Sequence, residues 1–379
     1  MRILHTASTY CPSLDGVAEV VRNISERLAQ RGHDVHVATT AVNSQSSCAE
    51  LRGVHVHRFS VKGNLALGMR GEVEKYCEFV RSGDWGVLVN HCLQTWSTDA
   101  ILDDLRSYPW ASILFTHGLS GFDNPVFLDY YRRIPEYLTS YATWVSITNS
   151  GEEKLLARKD KVAPPQVITN GVDLSEWSRP TLNLRRKWGI GNAAWIVNVS
   201  NHNPLKGHRT VFRLPKHLST TGARITLIGG TYPMAKWGLG DFGVRGGCFY
   251  MCSMRALVSG VIDLRTGILR SEVVSALQEA DMVVSTSRWE ANSVALLESM
   301  AAGTPWVSFG VGSARENAGG VVVRDLSEMA NAITELLRDP DRRKSLGEAG
   351  RAQVVARHDW DRIADQYEQL YENVAGQRV

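Results

Sequence analysis

Short apolar runs alternate with amphipathic helical stretches from the first residues of this chain, and the alternation starts afresh near its middle. Arg2 to Thr6 reads as a buried strand. Residues 16–31 then set Val17, Val20, Val21, Ile24 and Leu28 on one helical face and stop at Gly32, before Asp34–Thr39 reads as the next strand. Apolar residues at helical spacing mark a helix packed on a core, and a glycine after them is a common terminator. The chain thus opens with a βαβ unit, whose strands lie parallel because the helix carries the chain back. Val87–Asn90 and Ser112–Thr116 are further strands, each ending in polar residues. A second series begins near residue 194, with strands over Ala194–Ser200, Arg224–Ile228, Met282–Thr286 and Trp306–Ser308 and a helix over Ser271–Ala280 capped by Ser271. Such alternation predicts an α/β protein of two doubly wound, Rossmann-like domains, each a parallel sheet with helices on both faces.

A length of 379 residues suits two cores better than one. The Asn-Gly turn and proline punctuation of Val167-Ile-Thr-Asn170-Gly-Val-Asp173 through Trp177 and Pro180 fit the boundary. The expected division is an N-terminal domain over 1–170 and a C-terminal domain over 171–356. An amphipathic helix from Asp359 to Val374 lies in the terminal segment 357–379.

Lys plus Arg is 42 and Asp plus Glu is 39, a formal charge of +3 with no long basic run, which argues against nucleic acid as the main partner. The six cysteines, at 11, 48, 77, 92, 248 and 252, lack paired spacing. Cys248 and Cys252 stand wider apart than in a zinc knuckle, with no histidine pair beside them in the sequence. Reduced thiols and a cytoplasmic location are expected. Met1–His5 leads into a strand without a signal peptide's apolar region, and no window reaches membrane-spanning length. At most, peripheral contact with the inner membrane face is expected.

The strand at Met282–Thr286 leads into Ser287-Arg-Trp-Glu290-Ala-Asn292-Ser293-Val294-Ala-Leu-Leu-Glu298 and on to Gly303-Thr304-Pro305. Glu290 falls just before a helix and Glu298 about two turns inside it, with Asn292 or Ser293 as N-cap and Gly303 as terminator. The unpaired N–H groups and positive dipole end of such a helix start form an anion site. Flanked by carboxylates, it suits a diphosphate with hydroxyls on both sides, as in a nucleotide-sugar. Two glutamates at this spacing are also ordinary in a surface helix, so the spacing alone does not decide.

The whole string, however, resembles the Glu-x(7)-Glu signature of the family 4 retaining glycosyltransferases, which have the GT-B fold. The resemblance implies Glu290 beside the donor sugar, Glu298 on the ribose hydroxyls, and Asn292, Ser293 and Val294 against the diphosphate. Asn292-Ser293 replaces the family's usual Phe-Gly, so a Cβ stands where the diphosphate needs close backbone approach. Asn170-Gly-Val-Asp173 is similar to the family's interdomain signature, and the terminal helix would return to the first domain. Thr116-His117-Gly118 matches the active-site strand end, which places His117 at the reacting face of the sugar. In the loop Ser13-Leu-Asp15-Gly16 only Gly16 of the family's two adjacent glycines is present. Lys206-Gly207 matches the lysine that offsets diphosphate charge. The arginine expected about five residues before it is Asn201, so either His202, Arg209 or Arg288 compensates or the donor is held less tightly.

The resemblance therefore implies two Rossmann-like domains facing an interdomain cleft and a metal-independent retaining transfer with no cofactor. The catalytic residues would be His117, Lys206 and Glu290. The donor residues would be Gly16, Asn201, Lys206, Asn292, Ser293, Val294 and Glu298. The donor would be a nucleotide-sugar, with uridine diphosphate the family's commonest base, and the acceptor a glycan or lipid-linked hydroxyl. Acceptor loops are expected around Lys62–Gly68 and Gly118–Phe127. A nucleotide-sugar 2-epimerase of the same fold and a catalytically silent nucleotide-sugar binder are the alternatives, the latter motivated by Asn201.

Other motifs read as structural. Gly238-Leu-Gly240-Asp-Phe-Gly243 satisfies the dinucleotide fingerprint, but about nine residues separate it from the preceding strand and no apolar helix opens there. Residues 231–256 read as an extended loop and short helix. Asp339-Pro-Asp341 and Asp359-Trp-Asp361 sit at helix starts, where Asp is favoured, and imply no metal. His55 and His57 read as a solvated strand face, and Tyr130-Tyr-Arg132-Arg133 as a solvated helix face or a membrane contact.

Overall fold

The structure, a computed structural model, describes residues 1–13, 15–42, 47–230 and 247–376. The chain divides into two units, Met1–Gly171 with Trp360–Val379, and Val172–Asp359. The crossings fall slightly later than the sequence placed them. The outgoing and returning segments pair up to that point: Val172 N–H donates to the His358 carbonyl at 2.7 Å, and Val172 bridges Asp359 in parallel. Gly171 lies against Trp360, where a Cβ would come within 2.6 Å of the indole.

In the first unit the strands run in the spatial order Gln166–Val167, Thr143–Ser146, Ala111–Phe115, Val87–His91, Arg2–Thr6, Asp34–Thr40, Val54–Phe59 and Cys48–Leu51. All neighbours are parallel except the last pair. Val87–His91 and Ala111–Phe115 are buried throughout, as strands covered on both faces must be. Helix Gly16–Gln30 and the terminal helix Trp360–Gly376 lie on one face, where Ile24, Leu28, Ile363, Tyr367 and Leu370 share a core with Val89 and Phe115. Tyr367 stacks on Phe115, with ring centres 4.4 Å apart. Outside that core Arg27 meets Asp361 at 2.8 Å and Arg31 meets Glu368 at 2.6 Å. The other face packs Tyr76, Trp96 and Ile134.

The second unit has six parallel strands in the order Ile262–Arg265, Arg224–Ile228, Trp195–Val199, Met282–Ser285, Trp306–Phe309 and Gly320–Val323. Gly320 pairs with Trp306, and a Cβ on it would come within 2.0 Å of the indole, so the large buried ring requires a glycine opposite.

Four expectations need correction. Val61–Asn64 and Gly68–Gly71 form an antiparallel hairpin where an acceptor loop was expected. Tyr130 and Tyr131 face inward: Tyr130 donates to Asp99 at 2.7 Å and Tyr131 to the Ser120 carbonyl at 2.6 Å, so only Arg132 and Arg133 present charge outward. His57 is not solvated, because it stacks on His36 and packs on Phe79 with ring centres 4.5 Å apart. The helix expected to be capped by Ser271 begins at Arg270, with Leu269 at the N-cap and Glu272 accepting from the Leu269 N–H at 3.0 Å.

Truncating Tyr367 to Ala should cost the first unit about 3–5 kcal/mol, the usual loss for a buried aromatic. Differential scanning calorimetry should show the transition of the first unit lowered and that of the second unmoved.

Candidate functional site

The strand order of the second sheet reverses between Trp195–Val199 and Met282–Ser285. Loops leaving the carboxyl ends on either side of such a switch diverge and leave an opening, where α/β sheets bind ligands. Lys206 stands on the loop after the first of these strands and Glu290 on the loop after the second. Lys206 Nζ donates to Glu290 Oε1 at 2.6 Å, and Ser287 Oγ donates to the same oxygen at 2.7 Å. The two loops are also joined through backbone: Thr286 Oγ1 donates to the Lys206 carbonyl at 2.9 Å and Arg288 N–H to the Leu205 carbonyl at 2.7 Å. Gly207 makes this approach possible. It has φ +65°, and a Cβ there would stand 2.0 Å from the Thr286 carbonyl oxygen.

Helix Val294–Ala302 follows, ended by Gly303 in the left-handed region. Ser293, not Asn292, is its N-cap, and the Ser293 side chain makes no bond to the first turn. The segment before the helix is held from the opposite side, where Ser313 N–H donates to the Ala291 carbonyl at 2.9 Å. A Cβ on Gly312 would lie 2.3 Å from the Glu290 carbonyl oxygen. Glu298 is buried inside the helix and meets Arg270 at 2.6 Å. Arg270 also meets Glu176 at 2.7 Å and lies over the Trp177 ring. Burial works against the Arg270 charge, but Glu298 and Glu176 outweigh it and raise its pKa. Sequence reasoning missed Arg270, although a glutamate on the buried face of a helix signals that a cation must come from elsewhere.

Asn201 turns its Oδ1 to the Gly230 N–H at 3.1 Å, so no cation stands at the position of the family's arginine. His202 does not take its place, being buried among other residues, and Arg209 and Arg288 are exposed. His202 and His208 instead meet Cys248 and Cys252, with ligating atoms of all four within 4.8 Å of one another. The expectation that no histidine pair accompanies the cysteines fails, because the fold joins segments some forty residues apart. Residues 247–256 belong to helix Gly247–Ser259. The fingerprint Gly238–Gly243, with Trp237 and Phe242, lies outside the described residues. Asp339 caps helix Pro340–Arg357 through the Arg342 N–H at 2.8 Å.

In the first unit the order reverses between Arg2–Thr6 and Val87–His91. Here three histidines on neighbouring strands form a column: His5 Nδ1 to His91 Nε2 at 2.8 Å, then His91 Nδ1 to His117 Nε2 at 2.8 Å. The rings stack with centres 5.1 Å apart at both steps. His117 follows strand Ala111–Phe115 in the left-handed region, φ +53°, a conformation that most side chains avoid and that orients the ring along the column. Burial lowers the His5 pKa to about 3 and that of His91 well below 6.5. Burial likewise lowers His117 to about 4, with Asp15 partly opposing the shift. The column is therefore neutral at ordinary pH, so His117 serves as a neutral hydrogen-bonding group there. The sequence signal for His91 was a polar residue closing a continuous apolar strand.

Gly16 opens helix Gly16–Gln30, with open space where its Cβ would be. Asp15 is the N-cap and accepts from the Val17 and Ala18 N–H groups at 3.1 and 3.0 Å. It also accepts from Thr9 at 3.0 Å and Ser13 at 2.7 Å. A carboxylate thus occupies the helix start where the resemblance expected glycine and a phosphate.

Two Rossmann-like units, the first completed by the chain's terminal helix, are the architecture of GT-B glycosyltransferases. Sucrose-phosphate synthase of Thermosynechococcus elongatus has the same fold, with TM-score 0.81 and 18% identity over 98% of each chain. So does the Anabaena protein HepE in complex with UDP, with TM-score 0.77 and 16% identity over 98% of this chain and 100% of that one. Residues 14–176 match the family model described as Glycosyltransferase Family 4, and residues 210–369 match one described as Glycosyl transferase-like. An uncharacterized glycosyltransferase of Methanocaldococcus jannaschii is 24% identical over 98% of each chain. Together these matches support a family 4 glycosyltransferase. Among the described residues no helix is long and apolar enough to cross a membrane.

The histidine column makes the first unit acid-sensitive. With native pKa values below the unfolded value of 6.5, the unfolded chain binds more protons as pH falls from 6.5 towards 4, and stability is lost over that window. Asp99, raised by burial to about 6 from 3.8, acts in the opposite sense. Urea denaturation between pH 4.5 and 7.5 should show falling stability on acidification, steeper in Asp99→Asn; a flat profile would contradict the assignment.

Proposed function

We propose that this chain is a retaining glycosyltransferase that moves a sugar from a nucleoside-diphosphate sugar, UDP-linked, to a hydroxyl of a glycan or lipid-linked acceptor, without a catalytic metal. The observation that carries the reading is the Lys206–Glu290 pair at the switch point of the second sheet, 2.6 Å apart, just ahead of helix Val294–Ala302. The UDP assignment draws on the family resemblance and on the likeness to HepE, a UDP-binding protein.

In this reading the acceptor oxygen bonds to the anomeric carbon on the face from which the diphosphate leaves. The bond from that carbon to the diphosphate oxygen breaks, and the acceptor proton passes to the departing diphosphate. Lys206 and the first-turn N–H groups of Val294–Ala302, with Asn292, Ser293 and Val294 alongside, offset the charge that develops on the leaving group. Glu290 holds donor sugar hydroxyls, Glu298 the ribose hydroxyls, and Asn201 and Gly16 border the diphosphate. His117, neutral in its column, hydrogen-bonds at the reacting face. Asn201 itself favours one other reading, a protein that binds a nucleotide-sugar and turns over nothing.

Titration calorimetry with UDP, GDP and ADP, without added magnesium or manganese, tests the donor. UDP should bind, and Glu298→Ala should weaken it at least tenfold; binding of none of the three would sink the proposal. With UDP-sugar and acceptor, Lys206→Ala should lower the rate about 10²–10³-fold, the usual effect of losing one such charge-stabilising contact. An unchanged rate removes Lys206 from the mechanism. NMR of the product anomer reads retention directly, and conversion of donor without acceptor would make the protein an epimerase.

A further inference from the structure

The family 4 reading leaves unexplained four side chains on the same loop and the helix that packs on it. Cys248 and Cys252, one helical turn apart in Gly247–Ser259, present both sulfurs on one face. His208 Nδ1 lies 3.5 Å from each sulfur. A tetrahedral zinc with Zn–S about 2.3 Å and Zn–N about 2.0–2.1 Å has sulfur-to-nitrogen edges of roughly 3.5–3.6 Å. The spacing already present is therefore that of a coordinated metal.

The tautomer of His208 is set by a chain of hydrogen bonds behind it. Asn198 Nδ2 donates to the Val284 carbonyl at 2.7 Å, which turns its Oδ1 to accept from Ser200 Oγ at 2.7 Å. The Ser200 hydroxyl proton is thereby committed, so Ser200 Oγ accepts the Nε2–H of His208 at 2.8 Å. Nδ1 is left with its lone pair, aimed at the sulfurs. Ligating histidines characteristically have such an outer partner on the second ring nitrogen.

His202 supplies an independent observation. It is only 7% exposed, and neither ring nitrogen has a hydrogen-bond partner among the described residues. A buried imidazole without partners is costly and marks an absent ligand. Its ligating atom lies within 4.8 Å of those of His208, Cys248 and Cys252. Asp34, His36 and His55 also cluster, but Arg2 stands 3.2 Å from Asp34, a cation where a metal would have to be.

We propose that His202, His208, Cys248 and Cys252 bind one Zn²⁺ as a closed structural site. Two imidazoles and two thiolates in tetrahedral arrangement suit zinc and fill its coordination, leaving no open position for catalysis. Binding exchanges two thiol protons for the metal, and the two thiolates balance its charge. The site ties helix Gly247–Ser259 to the segment 202–208 and so braces Lys206, which lies between the two histidine ligands.

The full-length protein, purified without chelator from zinc-supplemented cells, should contain about one zinc per chain by plasma mass spectrometry. Stripped protein titrated with Co²⁺ should develop the visible bands of a tetrahedral dithiolate site, and zinc should bleach them. Cys248→Ser with Cys252→Ser, and separately His208→Gln, should lose both signals, while Asp34→Asn keeps them. Stripping wild type should lower the melting transition of the second unit reversibly, a readout that does not depend on any variant folding. Wild type with neither zinc nor a cobalt spectrum would overturn the proposal. So would full zinc in the double cysteine variant, or a Cys248–Cys252 disulfide in protein purified under reducing conditions.

Discussion

A parallel sheet covered by helices on both faces offers polar side chains one place to meet a ligand, the carboxyl ends of its strands. Everything central to this protein follows from that constraint applied twice. In the first sheet the strands Arg2–Thr6, Val87–His91 and Ala111–Phe115 are buried through most of their length, and His5, His91 and His117 stand at or just beyond their carboxyl ends. In the second sheet the same geometry sets Lys206 and Glu290 on loops from neighbouring strands at the point where the order reverses. Because those loops diverge, the site needs something to hold them in register. Glycine at 207 supplies it by letting one loop rest on the carbonyl of Thr286. A β-carbon there would move the lysine regardless of what the lysine itself contacts.

Much of this was legible because strand and helix periods are local. The runs Val87–Asn90, Arg224–Ile228 and Met282–Thr286 have lengths and compositions that fit buried strands, and helix Gly16–Gln30 carries its apolar stripe openly. The site was legible where chemistry is packed into a short string, as from Glu290 to Glu298. What escaped was tertiary. The hairpin Val61–Asn64 with Gly68–Gly71 lacks apolar alternation, and its strands carry glycines at 63, 68 and 71 with positive φ. Tyr130 and Tyr131 look amphipathic until Asp99 and the Ser120 carbonyl are brought to them. Arg270 is an unremarkable surface arginine until Glu298 is buried beside it. Cys248 and Cys252 were one helical turn apart in plain view, but the histidines that give them meaning arrive through sheet topology.

The departures from the family pattern form a connected set. Where an arginine would share the diphosphate charge, Asn201 bonds to the Gly230 N–H, and His202 turns inward beside His208 and the two cysteines. Where a glycine would open the first helix to phosphate, Asp15 caps it through the Val17 and Ala18 N–H groups and accepts from the Thr9 and Ser13 hydroxyls as well. Both changes remove positive or neutral surface from places where the resemblance expected anion contact. In the proposed reading, charge compensation for a donor diphosphate then rests on Lys206 and on the start of Val294–Ala302, where the Ser293 side chain makes no capping bond.

Those two features differ physically, and the difference bears on how a donor would be held. The Lys206–Glu290 pair is formally neutral, so it exerts little long-range pull on an anion. Lys206 nevertheless has three N–H donors, only one of which is spent on Glu290. A diphosphate can take the others without breaking the pair, and each bond would meet a nitrogen already oriented by Glu290 and the braced loop. The helix start adds fixed N–H dipoles whose direction does not depend on any side chain. Binding on such a surface gains from preorganisation rather than from net charge, and short-range hydrogen bonds are screened by salt far less than exposed charges are. Donor affinity that barely falls between low and physiological ionic strength is therefore what this arrangement requires. An arginine at position 201 would restore the net charge and with it the salt dependence.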